Sequence, residues 1–242
     1  MDNRDAHRRG HVNGSAEVEL IDLSESSNTR RSIGAWDLAD LFGGAHSAQL
    51  TPRDGHQTLL WVSSGEARVT DGGDFAESVC EGETCMVTTA PGASKLELAA
   101  ATDATGVRLD AALPAGGRGA AGGTVEIFEP DPFTLRSVTT TVSGKANVLV
   151  GTMFGRTSPV ATYSPLVAVK LLVAPNAEIA LTLDPQFEYG LLTTFCAMSV
   201  QGVEVQAGTT AYRPAGAKTL GVINLTGQWS RAVLFGGAPA PR

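Results

Sequence analysis

The side chains best suited to catalysis lie in two short segments of the sequence. Residues 51–58 contain Arg53, and residues 91–97 contain Lys95 and Glu97. A desolvated carboxylate can act as a general base, and a lysine can donate a proton or form an imine. A fixed guanidinium can stabilise a developing enolate. The three residues can act together only if the fold brings the two segments to one place.

Composition indicates a globular chain and argues against nucleic-acid binding. The 242 residues are 43% hydrophobic and 18% charged, with a formal net charge of −7. The basic residues near the N-terminus are expected to lie in a solvated tail, so DNA binding is disfavoured. No apolar run reaches the roughly 18–20 residues that cross a bilayer, and the polar N-terminus does not resemble a secretory signal.

The cysteines and histidines add two expectations. Three cysteines without an export signal predict reduced thiols in a cytoplasmic protein. Scarce lysine beside abundant alanine, glycine and arginine is typical of a high-GC bacterial genome. No histidine follows His56, so the second half cannot hold a histidine-based metal site.

Short strands separated by glycine-rich turns are predicted along the whole chain. A first strand is expected at residues 17–23, and residues 36–42 could form a strand or a short helical turn. Further strand signals in the first half recur at residues 57–62, 67–70, 85–88, 95–99 and 107–111. This spacing predicts a barrel or sandwich.

The second half repeats the spacing of the first, which indicates an internal duplication. Residues 146–152 are the candidate crossing between the two units. We therefore predict a disordered tail at residues 1–15, an N-terminal barrel at residues 16–145 and a C-terminal barrel at residues 146–242.

Two segments of the second half resemble the pirin family. Residues 155–165, Gly-Arg-Thr-Ser-Pro-Val-Ala-Thr-Tyr-Ser-Pro, resemble the segment that opens the pirin C-terminal domain, and residues 231–239 resemble its closing strand. In the first half, Gly55 and Thr58 keep the frame of the first pirin motif. The resemblance implies an all-β bicupin, with two antiparallel jelly-roll barrels packed together, few short helices and a pocket in the first barrel.

The resemblance also locates the places where pirins hold a metal, usually iron. Thr51, Arg53 and Lys95 stand at the three histidine places, and Glu97 keeps the fourth. Arginine offers no lone pair, and lysine can ligate only after losing its proton. We predict no metal and no cofactor. The alternative is an unusual set made of His46, His56 and Glu97.

The resemblance places Arg53, Lys95 and Glu97 in a mostly apolar pocket. From their chemistry there, we predict that all three are catalytic. The residues predicted to bind substrate are Thr51, Gln57 and Trp61. The alternative is that Glu97 forms a salt bridge with Arg53 or Lys95 and fills the vacated site without chemistry.

Three functions follow from these expectations. The first is a metal-independent enzyme that cyclises or isomerises a bulky, apolar, polyketide-like metabolite. The second is a non-catalytic ligand-binding or regulatory protein, and the third is a quercetinase-like dioxygenase with an unusual metal site. The expected partner is a small apolar molecule, with no nucleic acid and no membrane, and a monomer is favoured over an oligomer.

Overall fold

The computed structural model describes residues 18–22, 32–43, 50–90, 96–114, 123–137 and 142–239, and every regular element in them is a β-strand. The predicted all-β class is confirmed. The strands of the first part are β1 Glu19–Asp22, β2 Trp36–Phe42, β3 His56–Ser64, β4 Glu66–Thr70, β5 Ala76–Cys80, β6 Thr84–Thr88, β7 Glu97–Ala100, β8 Thr105–Ala112, β9 Thr124–Phe128 and β10 Phe133–Arg136. Those that follow are β11 Val142–Val150, β12 Thr152–Met153, β13 Arg156–Thr157, β14 Leu166–Val173, β15 Glu178–Thr182, β16 Glu188–Phe195, β17 Met198–Val200, β18 Val203–Val205, β19 Thr209–Arg213, β20 Thr219–Asn224 and β21 Ser230–Gly237.

The first barrel consists of two antiparallel sheets, and most of its interior is apolar. A five-stranded sheet has the order β2-β8-β3-β6-β9, and a three-stranded sheet has the order β5-β4-β7. Alternate residues of each strand point inward. Leu60 and Val62 of β3 therefore belong to the same buried cluster as Val69 of β4 and Leu98 of β7.

The second barrel has a larger interior, formed almost entirely by aliphatic side chains. Its seven-stranded sheet has the order β1-β19-β16-β21-β14-β11-β10, and its four-stranded sheet has the order β15-β20-β17-β18. Val169 and Leu171 of β14, Ile179 of β15 and Leu191 of β16 are fully or nearly fully buried there.

The outer faces of the two large sheets pack against each other. Leu59 and Trp61 of β3 lie in one buried cluster with Val233 and Phe235 of β21. This explains why β3 reads as a continuous apolar run, because one face points into its barrel and the other contacts the second barrel. Trp36 fastens the interface, since its indole Nε1 donates to the backbone oxygens of Val167 and Gly236, at 3.2 and 3.0 Å.

Two strands of the predicted N-terminal unit belong to the second barrel, and β11 runs across the predicted division between residues 145 and 146. β1 pairs with β19, with Glu19 opposite Tyr212, and β10 pairs with β11. Both strands fall within residues 16–145, yet both belong to the sheet of the second barrel. The predicted tail at residues 1–15 lies outside the described residues. No helix among the described residues is long and apolar enough to span a membrane.

Candidate functional site

The turn before β3 is tied to β2 by a charged cluster of Asp37, Arg53 and His56. One carboxylate oxygen of Asp37, Oδ2, accepts a hydrogen bond from Arg53 Nη1 at 2.9 Å and lies 3.0 Å from His56 Nε2. Asp37 is the extra residue of a β-bulge, because the pairing of β2 with β8 shifts between Trp36 and Leu38. A bulge re-aims the side chain that it carries, so the bulge accounts for the position of the carboxylate.

His56 is fully engaged within this cluster. Its Nδ1 lies 2.7 Å from the backbone oxygen of Asp54, so both ring nitrogens face oxygen atoms. A metal ligand or a general base needs a free ring nitrogen. His56 therefore acts in this arrangement as a bridge between the turn and β2.

A second charged pair, Arg108 and Asp110, lies inside the first barrel. Arg108 Nε and Nη2 donate to the two carboxylate oxygens of Asp110 at 3.0 and 2.7 Å, and Nη2 also donates to the backbone oxygen of Thr51 at 3.1 Å. Arg108 lies opposite Leu60 of β3, whose side chain is in the barrel interior. Asp110 is completely buried. A guanidinium thus lies next to the segment that the alignment assigns to metal binding.

Sequence analysis missed this pair. Residues 107–111 were predicted as a strand, and two charged residues at alternate positions are typical of a solvent-facing side. In the structure the apolar residues of β8, Val107 and Leu109, pack between the barrels. The charged residues therefore take the interior face. The register of β8 in the sheet determines which of its faces points into the barrel, and the residue types alone do not reveal that register.

The described residues do not fit a metal site. Among them, no group of three or more histidine, cysteine, aspartate or glutamate side chains could hold a metal ion. Thr51 is exposed, and Glu97 is exposed on β7 in the smaller sheet. His46 and Lys95 lie outside the described residues, so the alternative set of His46, His56 and Glu97 stays a prediction.

Two of the three predicted catalytic residues, Arg53 and Glu97, lie in the described part of the chain. Arg53 pairs with Asp37, and within the described part of the chain it forms no salt bridge with Glu97. Arg53 keeps 40% of its side chain exposed. Lys95 is not described, so the proposed roles of Arg53, Lys95 and Glu97 stay predictions.

Gln57 and Trp61 face the second barrel. Gln57 donates to Thr88 Oγ1 at 3.2 Å and to the backbone oxygen of Ala161 at 3.0 Å, and it accepts a hydrogen bond from the backbone of Tyr163. Trp61 is buried between the barrels, where Lys170 Nζ lies 5.4 Å from its ring centroid. Strand alternation puts both residues on the face of β3 that points away from the barrel interior. We expected Gln57 to share the pocket with Arg53 and Thr51, and this placement differs.

The cysteines divide by exposure. Cys85 is buried in the first barrel, and this burial, with a smaller effect of Glu77, raises the pKa of its thiol to about 12. A thiol that stays protonated at neutral pH is a poor nucleophile. Cys85 therefore packs as a small apolar side chain, whereas Cys80 is exposed.

Comparisons with known proteins found one sequence relative and several structures with the same fold. No family model matches the chain. A Pseudomonas aeruginosa protein that carries the provisional name quercetin 2,3-dioxygenase is 31% identical over 222 residues, which cover 88% of this chain and 68% of the relative. A quercetin 2,3-dioxygenase structure from Acinetobacter baumannii matches with a TM-score of 0.71 and 22% identity, covering 92% of this chain and 77% of that one.

A pirin structure has the same fold over its whole length. The Escherichia coli pirin YhhW, solved in complex with nickel(II), matches with a TM-score of 0.64 and 11% identity and covers 96% of each chain. These comparisons correct one prediction. The metal-independent cyclase or isomerase is wrong, because the sequence relative and the first structural neighbours bear the name of a dioxygenase.

Proposed function

The chain belongs to the pirin-like bicupins of the cupin superfamily, and from this premise we propose that it is an oxygenase of the quercetin 2,3-dioxygenase type. Its substrate would be a planar aromatic molecule with several hydroxyl groups. The observation that carries the proposal is the 31% identity to the Pseudomonas aeruginosa relative over 88% of this chain. The match includes both barrels, so it is not limited to one repeated motif.

The charged cluster at the start of β3 is the proposed contact for the substrate. Arg53 is partly exposed there and is held by Asp37. A phenol becomes more reactive towards oxygen as its phenolate, and a fixed cation stabilises that negative charge. Arg53, with the hydroxyl of Thr51, would orient the ionised oxygen. Lys95 and Glu97 join the proposed site through the sequence alignment alone.

No step is assigned to a metal. The described residues offer no set of ligands, and Arg53 and Arg108 add positive charge near the place that the alignment indicates. A dioxygenase reaction inserts both atoms of O₂ into the organic product. The proposal therefore requires that both oxygen atoms of each O₂ consumed appear in the product, whichever group activates the oxygen.

Oxygen uptake with quercetin tests the proposal directly. We expect quercetin-dependent consumption of O₂ by the purified protein, and mass spectrometry with isotopically labelled O₂ should find both labelled atoms in the product. Heat-denatured protein is the control for spontaneous oxidation. The proposal fails if quercetin binds to the protein without any enzyme-dependent oxygen uptake.

Elemental analysis of protein purified without a tag or chelator should accompany this assay. Turnover that stops on chelation and returns with one metal would show that at least one ligand comes from residues outside the described part, with His46 the first to mutate. Turnover that survives chelation would show that the activity does not depend on a removable metal.

A second candidate function is binding of the same class of molecule without turnover. It is favoured by the Arg108–Asp110 pair, whose charges are held by each other and by the backbone of Thr51 and are not arranged around a metal. A protein of this kind would bind quercetin with a defined stoichiometry under nitrogen and would leave it unchanged in air.

A further inference from the structure

The second barrel has an open cleft that contains none of the predicted site residues. It lies between the β12–β13 hairpin and the segment that joins β15 to β16, and its volume is about 740 Å³. Small-molecule sites in proteins typically have volumes of about 300–1,000 Å³ and combine apolar walls with a few polar groups. The cleft has the size for a drug-sized molecule.

The hairpin supplies one aromatic wall. Its two-residue turn, Phe154-Gly155, has positive φ at both positions, 54° and 71°. Asparagine or glycine is the usual choice at the first of these positions, because a bulky side chain is strained there. The Phe154 ring is held against Phe133, with the ring centroids 5.8 Å apart. The chain thus tolerates a strained backbone at the place where it presents an aromatic ring to the cleft.

The opposite wall is ordered by Asp184. The Tyr189 hydroxyl accepts a hydrogen bond from the Asp184 backbone at 3.0 Å, and the Asp184 carboxylate accepts one from the Gln186 backbone at 2.9 Å. The rings of Phe187 and Tyr189 lie 6.1 Å apart. Further backbone hydrogen bonds hold this segment, one between Phe187 and Asp184 and two to Gly216 and Lys218.

The lining determines which molecule fits. The lining includes three aromatic residues, Phe154, Phe187 and the buried Tyr189, together with aliphatic residues such as Leu166 and Leu183. Its polar groups include the hydroxyls of Thr152, Thr162 and Thr182 and the carboxylate of Asp184. None of the described residues that line the cleft is lysine, arginine or histidine.

We propose that this cleft binds a neutral, planar aromatic molecule with several hydroxyl groups. The aromatic walls would stack on the rings of the ligand, and Asp184 would accept a hydrogen bond from one of its hydroxyls. An anion would meet the Asp184 carboxylate, and none of the described lining residues is basic, so a neutral ligand is favoured over a carboxylated or phosphorylated one. The nearby guanidinium of Arg156 is engaged over the ring of Phe133. Burial raises the pKa of Tyr189, so its hydroxyl also remains a neutral donor or acceptor.

None of the residues that line this cleft belongs to the charged cluster of Arg53, His56 and Asp37, and the proposal goes beyond the oxygenase activity. Binding here needs neither oxygen nor turnover. The bound molecule could be stored substrate, a product or an effector. The proposal covers all three, because each would be a neutral aromatic molecule with several hydroxyl groups. Measuring binding without oxygen tests the cleft by itself, because no turnover can occur. The cleft proposal and the oxygenase proposal can therefore fail independently.

The test is calorimetric titration with quercetin under nitrogen, at a mildly acidic pH where its hydroxyl groups are protonated. Thr182→Trp should fill the cleft, and Phe187→Ala should remove one wall. Ala180→Trp is the matched control, because Ala180 is exposed two residues earlier on the same strand, β15. We expect each cleft variant to lower the affinity of this site about tenfold or more, with the control unchanged.

Two results would overturn the proposal. One is wild-type affinity in both Thr182→Trp and Phe187→Ala with their melting temperatures unchanged. The other is loss of all quercetin binding in Arg53→Ala, which would put the only site at the first barrel. Thermal melting by circular dichroism identifies a variant that fails to fold, and Phe187→Ala then serves in place of Thr182→Trp.

Discussion

At the scale of single residues, the most consequential feature is the pair of charges inside the first barrel. Asp110 is completely buried, and Arg108 meets both of its carboxylate oxygens. Buried ion pairs often add little net stability compared with an apolar pair, but removing one partner leaves an uncompensated charge. The pair also anchors the backbone at Thr51, so it fixes the segment that precedes β3.

Replacing Asp110 with asparagine should destabilise the protein strongly. The amide cannot neutralise the guanidinium of Arg108, so we expect a loss of about 3–5 kcal/mol in the free energy of unfolding, measured by urea denaturation. Asp103→Asn, at an exposed position, is the matched control and should have an effect within about 0.5 kcal/mol. The combined Arg108→Met and Asp110→Leu change should cost less than Asp110→Asn alone. Equal stability of Asp110→Asn and wild type would contradict the pairing.

A prediction for alkaline pH comes from Cys85. Because burial raises the pKa of its thiol from 9.0 to about 12, the folded protein keeps a proton there that the unfolded chain loses. The free energy of unfolding should therefore fall as pH rises from about 9 to about 12. Cys85→Val should flatten this slope, and Cys80→Val, at an exposed position, should not. Parallel slopes for wild type and Cys85→Val would show that the thiol does not titrate as described.

At the scale of the elements, β3 shows which structural features could be predicted from the sequence and which could not. The run from Leu59 to Val62 predicted a strand correctly. It could not show that Trp61 packs between the barrels while Leu60 packs inside one, because both faces are apolar and hydrophobicity then gives no direction. For β2 the sequence left strand and helical turn open. The bulge at Asp37 depends on its pairing with β8, which only the folded sheet defines.

A glycine on β8 tests how closely β2 and β3 approach it. A Cβ at Gly106 would lie 2.1 Å from the backbone oxygen of Trp61 and 2.4 Å from the ring of Phe42. We expect Gly106→Ala to lower the free energy of unfolding by about 1–3 kcal/mol through overpacking. Gly227→Ala is the control, since nothing lies within 4 Å of its Cβ position. Chemical denaturation of both variants decides the point, and similar midpoints would contradict the close packing.

At the scale of the whole molecule, the bicupin architecture could be predicted from the motif at residues 155–165 and from the repeated spacing of strands. The assignment of strands to sheets could not. β1 has the alternation of any edge strand, and nothing in residues 19–22 indicates that their partners lie at residues 209–212. A boundary drawn along the sequence therefore misses a strand that belongs to the other barrel.

Removal of β1 should expose an edge of the second barrel. A chain that begins at Val18 keeps this strand, whereas one that begins at residue 23 leaves β19 with an unpaired row of backbone groups. We expect the shorter chain to melt at a lower temperature and to self-associate, because open edges pair with other chains. Light scattering and thermal melting of the two truncations provide the measurement. Identical behaviour of the two would mean that β1 contributes nothing to the sheet.

The pairing of β1 with β19 also affects how the protein is made. The ribosome synthesises Glu19 about 190 residues before Tyr212, which at about 5–20 residues per second is an interval of roughly 10–40 s. During that interval the first barrel can close, while β1 has no partner and must stay unpaired beside it. The second barrel is complete only after β1, which is synthesised first, pairs with β19, which is synthesised near the end. Slow translation of the last third of the message should therefore prolong the stage at which nascent chains can associate with one another.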